Sequence, residues 1–246
     1  MNIIKAGYEI MGDINAKEIY KKIESAGRTC YKSEDKITDE SAEKFVRGLI
    51  KRGHEAMLEH ASMTVKFIVD RGISHEQVRH RIASFAQEST RYCNYSSDKF
   101  GKEITVIEPC FYADIPDDEK KLCKQVVDDP AAYEDDHVAD FLERMMNIHK
   151  RYARWYEDCR YAERGYFQLL ELGATPQEAR NVLPTSVKTE VVVTSNMREW
   201  RHILNLRAAG TTGAPHPQMV EVMLPLLAEL KEKLPAIFDD IQIVGN

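Results

Sequence analysis

The sequence predicts an α+β fold, with a mixed or antiparallel central sheet flanked by helices in one compact domain over residues 1–246. Three observations predict it. Met63, Val65, Phe67 and Val69 alternate with Thr64, Lys66 and Ile68, the period of a half-buried strand. Longer segments carry apolar residues at helical spacing between cap residues. Strands and helices also follow one another without the regular βαβ alternation of a parallel α/β sheet.

Taken in order, Ile3 to Ile10 reads as a strand and Ala16 to Ser25 as a helix. Thr38 or Asp39 can cap a second helix carrying Phe45, Val46, Leu49 and Ile50, with Gly53 where a C-terminal cap belongs. The strand around Met63–Val69 follows, then an Arg71-Gly72 turn. Ser74 with Gln77 has the spacing of a capping box, so a helix is expected from His75, with Val78 and Ile82 as its apolar stripe. From Ser96 to about Asp136 the pattern fades, apart from a strand over Glu103–Glu108; residues 96–160 read as a helical, variable insertion. Helices are expected over His137–Trp155 and Asp158–Leu172, the second ending at Gly173. Thr175-Pro176-Gln177-Glu178 is a second capping box with proline at the first helical position; its short helix carries Arg180 and stops near Pro184. Val187–Thr194 is a strand. Asn196 with Glu199 caps a helix whose Trp200, Ile203 and Leu204 share a face with Arg207. Pro217–Lys233 is the last helix, with Pro225 inside it.

Composition narrows the function. The 246 residues carry a net charge of -6, against a general coat for nucleic-acid polymers. No apolar run approaches a membrane span of about 20 residues. The first residues lack the layout of a secretion signal, and five cysteines (Cys30, Cys93, Cys110, Cys123, Cys159) form no CxxC pair, so a cytoplasmic protein with reduced thiols is expected. His54-Glu55 and His60 invite comparison with HExxH. Their histidines stand six apart, however, and six residues turn a helix by about 240°, so they diverge and no metal site is expected.

The densest chemistry lies in Arg79 to Arg91, with three arginines, His80 and three hydroxyl side chains. Arginine forks and hydroxyls suit a phosphate. On composition alone, a solvated basic helix end fits equally well. The spacing is more specific. Arg79-His80-Arg81, seven residues and then Ser89 match the signature of the flavin-dependent thymidylate synthases, which the chain resembles. Thr90-Arg91-Tyr92, Gly53-His54-Glu55 with Leu58-Glu59-His60, Glu178-Ala179-Arg180 with Val182-Leu183-Pro184, Asn196-x-Arg198 with Asn205-Leu206-Arg207, and His216-Pro217-Gln218 resemble further family segments in the same order. Together they cover residues 28–95 and 166–224. Ala56-Met57 departs from the family's small hydroxyl residue and proline. Extra residues, Gly210 to Gly213 among them, stand between Arg207 and His216.

That resemblance implies an FAD enzyme that methylates dUMP to dTMP, taking carbon from 5,10-methylenetetrahydrofolate and reducing equivalents from NADPH, in a homotetramer with sites shared between subunits. It implies that Arg79, His80, Arg81, Gln87, Asn196, Met197, Arg198 and His202 hold the flavin nucleotide. His54 and the altered Ala56 would lie near it. Glu76, Gln77, Val78, Arg79, Gln87, Glu88, Ser89, Thr90, Arg91 and Arg180 would take dUMP, its phosphate falling to Ser89, Arg91 and Arg180. Arg207 would be the catalytic cation beside N3 and O2 of the uracil. The same cluster would also allow a non-catalytic nucleotide-binding module. Such a module leaves the ordered matches at Arg180, Asn196 and Arg207 unexplained. No Walker or Rossmann glycine pattern is present, so side chains must do the binding.

Overall fold

The computed structural model describes residues 1–244. It is α+β, with an antiparallel-paired sheet flanked by helices. The chain forms two compact units. The first contains Met1–Lys5, Asp70–Gly72 and Glu88–Thr189; the second contains Ala6–Val69, Ile73–Gln87 and the segment from Glu190 onward.

In chain order the strands are β1 (Asn2–Ile4), β2 (Gly7–Met11), β3 (Ser62–Asp70), β4 (Ala83–Gln87), β5 (Thr105–Ile107) and β6 (Lys188–Asn196). The helices are α1 (Ala16–Thr29), α2 (Ser41–Lys51), α3 (Arg71–Gln77), α4 (Asp117–Asp128), α5 (Asp136–Arg144), α6 (Asn147–Glu171), α7 (Pro176–Ala179), α8 (Met197–Arg207), α9 (Pro217–Lys233) and α10 (Pro235–Phe238).

The second unit is built on a four-stranded sheet in the order β2-β3-β6-β4. β2 runs antiparallel to β3, and β4 antiparallel to β6. Along β3 the alternation works as the sequence predicts: Met63, Val65, Phe67 and Val69 are buried. They meet Val191 and Val193 of β6, Trp200, Ile203 and Leu204 of α8, and the apolar face of α9 in one core. α1 and α2 close against that core. Gly27 makes their approach possible, because a Cβ there would lie 2.7 Å from the Phe45 ring.

In the first unit β1 pairs in parallel with β5. Tyr95, Ile104, Val106 and Tyr166 form one small core there, and Ile115, Cys123, Phe141 and Tyr152 another.

Several expected elements form differently. The N-terminal strand over Ile3–Ile10 is two strands, β1 and β2, pairing in different sheets. α2 starts at Ser41 after Glu40, without a side-chain cap from Thr38 or Asp39. The helix expected from His75 is replaced by one that ends there. β3 runs directly into α3, which stops at Gln77. Ser74 is no N-cap because it lies inside α3, where its hydroxyl accepts from the Gln87 side chain at 2.9 Å. Val78 and Ile82 are consequently exposed rather than an apolar stripe, and Arg79–Arg81 sits on the turn into β4, which the periodicity did not mark. The break between Trp155 and Asp158 is absent. α6 runs unbroken over 25 residues, and the chain bends at Met145–Met146 instead. α4 lies in the insertion read as helical, at bounds the sequence did not mark, since only Lys120 and Cys123 on it are buried and its apolar signal is correspondingly thin.

Trp200 is fully buried and donates its indole N–H to the Met63 carbonyl at 3.0 Å. Trp200→Ala should lower the unfolding free energy by about 3–5 kcal/mol, read as a shifted denaturant midpoint.

Candidate functional site

The second unit's candidate residues converge at the junction of β6 and α8. Asn196 ends the strand and caps the helix, accepting from the Glu199 N–H at 2.9 Å. The Met197 N–H donates to the Ala61 carbonyl at 2.9 Å, which ties the first turn down. With Met197, Trp200, Ile203 and Leu204 turned into the core, Arg198, His202 and Asn205 are left on the opposite side. There they line a cleft of about 500 Å³ with Glu55, Glu59, Glu199 and Arg201. A neighbouring cleft of about 630 Å³ shares Glu55 and Arg198. It has an apolar and aromatic wall of Tyr31, Phe45 and Met57, cations at Arg28, Lys36 and Arg52, and His54 and Ala56 on its edge.

Charge in the first cleft is balanced inside the protein. Arg198 pairs with Glu59 at 2.6 Å, and Arg201 is held by Glu55 and Asp240. Arg79 and Arg81 are exposed and make no ion pair among the described residues, while His80 between them is buried.

Arg207, the last residue of α8, sits in a network that joins it to α3 and to His80. Its Nη1 donates to Glu76 Oε2 at 2.8 Å and its Nε donates to His80 Nε2 at 3.1 Å. That second bond fixes the imidazole. Nε2 must be bare to accept, so the ring's one proton lies on Nδ1, which faces Glu199 Oε1 at 3.7 Å. Burial, the Arg207 guanidinium and His202 push the His80 pKa down to about 4. At neutral pH the ring is therefore neutral, and its contact with Glu199 is not an ion pair. Burial holds Glu199 above the usual carboxylate range.

Other candidates in this unit are less accessible. Gln87 is engaged by Ser74. The Met197 side chain lies wholly in the core, leaving only its backbone for a ligand. Gln77 is 2% exposed, and its side-chain amide has no hydrogen-bond partner. Val78 is partly exposed. His80, Glu199 and His202 place one ligand atom each within 4.8 Å of one another, a spacing open to a cation. The Arg207 charge on the far side of the His80 ring opposes one.

In the first unit, Glu88 is committed to Lys188 at 2.9 Å. Ser89 accepts from the Arg91 N–H, and the Arg91 guanidinium stands 5.4 Å from the Tyr92 ring centroid. The Arg180 Nη1 reaches the buried Thr90 hydroxyl at 3.4 Å. Arg180 thus reaches the Ser89–Arg91 loop from a separate segment.

Sequence reasoning missed Glu55, Glu59, Glu199 and Arg201 as cleft residues. Glu199 read as half of a capping box, but its side chain turns to His80 instead. Glu55 and Glu59 carried one faint signal, a carboxylate pair four residues apart beside His54.

Comparison with known proteins decides the family. The model for "Thymidylate synthase complementing protein" matches residues 14–236. A flavin-dependent thymidylate synthase from Corynebacterium aurimucosum is 33% identical over 94% of this chain and 83% of its own length. One from Mycobacterium avium is 30% identical over 90% of this chain and 79% of its own. The chain belongs to the flavin-dependent thymidylate synthase family. It is thus a member of an enzyme family. Among solved structures, the UMP/dUMP methylase PolB from Streptomyces cacaoi, bound with 5-Br dUMP, shares the fold at a TM-score of 0.67 and 21% identity, over 97% of this chain and 96% of that one. None of the helices among the described residues is long and apolar enough to cross a membrane.

A pH prediction follows from His80. Its folded pKa, about 4, lies below the ordinary 6.5, so the unfolded chain binds more protons between those values. Stability should therefore fall as pH drops from 6.5 towards 4, and His80→Gln should show a shallower decline over that window in melts of both proteins.

Proposed function

We propose that this chain converts dUMP to dTMP with bound FAD, taking the carbon from 5,10-methylenetetrahydrofolate and using NADPH as reductant. Family membership supports the reaction class. The observation that carries the residue assignment is the Arg207 guanidinium, held from two sides by Glu76 and His80.

The clefts fit a long, doubly anionic cofactor with flat rings. Arg198 and His202 lie on one helix face, Arg28, Lys36 and Arg52 supply further cations, and Tyr31 and Phe45 offer aromatic surface. Bound FAD supplies the hydride chemistry that no side chain can provide. Arg198, His202, Asn196, the Met197 backbone, Arg79, Arg81 and Gln87 would hold it, with His54 and Ala56 at its edge. Ser89, Thr90, Arg91 and Arg180 would take the phosphate of the nucleotide. Glu76, Gln77, Val78, Arg79, Gln87 and Glu88 complete the assigned set, and the buried Gln77 amide is a group that a polar ligand would satisfy.

Arg207 would stabilise the negative charge that develops on the uracil ring, which raises the nucleophilicity of C5. A preorganised cation does this without reorganising during the reaction. The protein would act as a cytoplasmic homotetramer with shared sites.

Purified protein should show a flavin absorption band that changes when dUMP is added; a colourless protein that takes up no FAD would contradict the reading. The turnover assay runs UMP beside dUMP, because the Streptomyces protein of like fold is a UMP/dUMP methylase. Arg207→Ala should retain FAD and lose about 100- to 1,000-fold in turnover, the range for removing one preorganised donor. Cys93→Ser should stay active; its inactivity with normal flavin content would point to a cysteine nucleophile instead.

A further inference from the structure

The family signature assigns His80 to the flavin, but the geometry gives its ring another partner. The ring is 7% exposed, and its Nε2 is occupied by the Nε–H of Arg207 at 3.1 Å. We propose that His80 is a positioning residue for Arg207: its neutral ring accepts the Nε–H and fixes the plane of the guanidinium. The inference rests on the reading of Arg207 as the cation that faces the substrate.

The chemistry favours this division of labour. A guanidinium held at one point can swing about its Cδ–Nε bond. Arg207 is held at Nε by His80 and at Nη1 by Glu76, while Nη2 lies a long 3.5 Å from the Glu76 carbonyl. Two anchors define a plane and leave donors on the remaining edge for a ligand. The type of anchor also matters. A second carboxylate at Nε would orient the group equally well, but it would cancel charge that an anionic ring needs. A neutral imidazole orients it and leaves the charge in place.

Neutrality is enforced by the surroundings. Burial opposes protonation, and so do the Arg207 guanidinium and His202, both from α8; Arg79 and Arg81, on either side in the chain, are exposed. The carboxylates nearby are Glu76 and Glu199. Glu199, on α8, faces the Nδ1 proton and is itself 8% exposed.

The test compares His80→Leu, which fills the space and cannot accept, with His80→Gln, whose amide oxygen can reach the same N–H. Two readings are taken on the FAD-loaded protein. One is kcat and KM for dUMP. The other, independent of activity, is solvent exchange of the Arg207 Nε–H by nitrogen-15 NMR, assigned with Arg207→Lys. His80→Leu should lose about 10- to 100-fold in kcat, the range for removing an orienting partner, while FAD affinity stays at the parent value. Its Nε–H should exchange faster than in the parent, and His80→Gln should recover most of both. The acid limb of the kcat profile should be missing in His80→Gln. Unchanged Nε–H exchange in His80→Leu overturns the proposal, and so does loss of FAD binding in the Leu and Gln variants alike, which would return His80 to the flavin. If the parent protein bound FAD but turned over no nucleotide, the functional reading would fall, while the exchange measurement would still decide whether His80 holds Arg207.

Discussion

The second unit depends on one junction, where β6 ends at Asn196 and α8 begins. Three bonds set it: the Asn196 cap on Glu199, the Met197 N–H on Ala61, and the Trp200 indole on Met63. The first sets the helix start on the strand end, and the other two tie the first turns of α8 to β3 and its flanking chain. With Trp200, Ile203 and Leu204 locked in the core, the angular positions of Arg198, Glu199, His202 and Arg207 are no longer free. The site is thus a consequence of packing. A helix rotated by one residue would bury His202 and expose Trp200, and the cleft would lose its cations.

Electrostatics explains how an acidic chain gathers cations around one cleft. Its net charge is -6, yet the cations that matter are concentrated on one helix and one turn. Most are already satisfied: Arg198 by Glu59, Arg201 by Glu55 and Asp240, Arg207 by Glu76. These partners differ in exposure. Arg198 and Glu59 are about half exposed, so their attraction is screened by solvent and readily exchanged for a phosphate. Arg201 is itself buried, and it clamps the segment at Asp240 although Glu55 is partly and Asp240 half exposed. Arg207 lies between these cases, partly buried and anchored by one charged and one neutral group.

Local signals were legible in the sequence, and distant ones were not. The Thr175–Glu178 capping box, the Asn196 cap, the α9 boundaries and the alternation of β3 all formed where their residues predict. Each is settled within a few residues. The Ser74–Gln77 spacing failed because β3 runs straight into a helix that begins at Arg71 and already contains Ser74. The link between Glu76 and Arg207 spans 131 residues, and no periodicity could announce it. His80 was legible as a member of the Arg79–Arg81 motif but not as the partner of Arg207, because its burial depends on α8. The family resemblance named the candidate side chains; the fold shows which of them touch each other.

The central claim is that this protein passes reducing equivalents from a flavin, and a carbon from the folate, to dUMP at a site governed by Arg207. The most direct measurement is a single turnover without oxygen. FAD-loaded protein is reduced, then mixed with dUMP and 5,10-methylenetetrahydrofolate, and both flavin absorbance and nucleotide products are followed. The account predicts that the oxidised flavin band returns as dTMP forms, in equal amounts, and that Arg207→Ala stays reduced and makes no dTMP on the same timescale. Reduced flavin persisting in the parent protein, or dTMP forming without flavin oxidation, would contradict it.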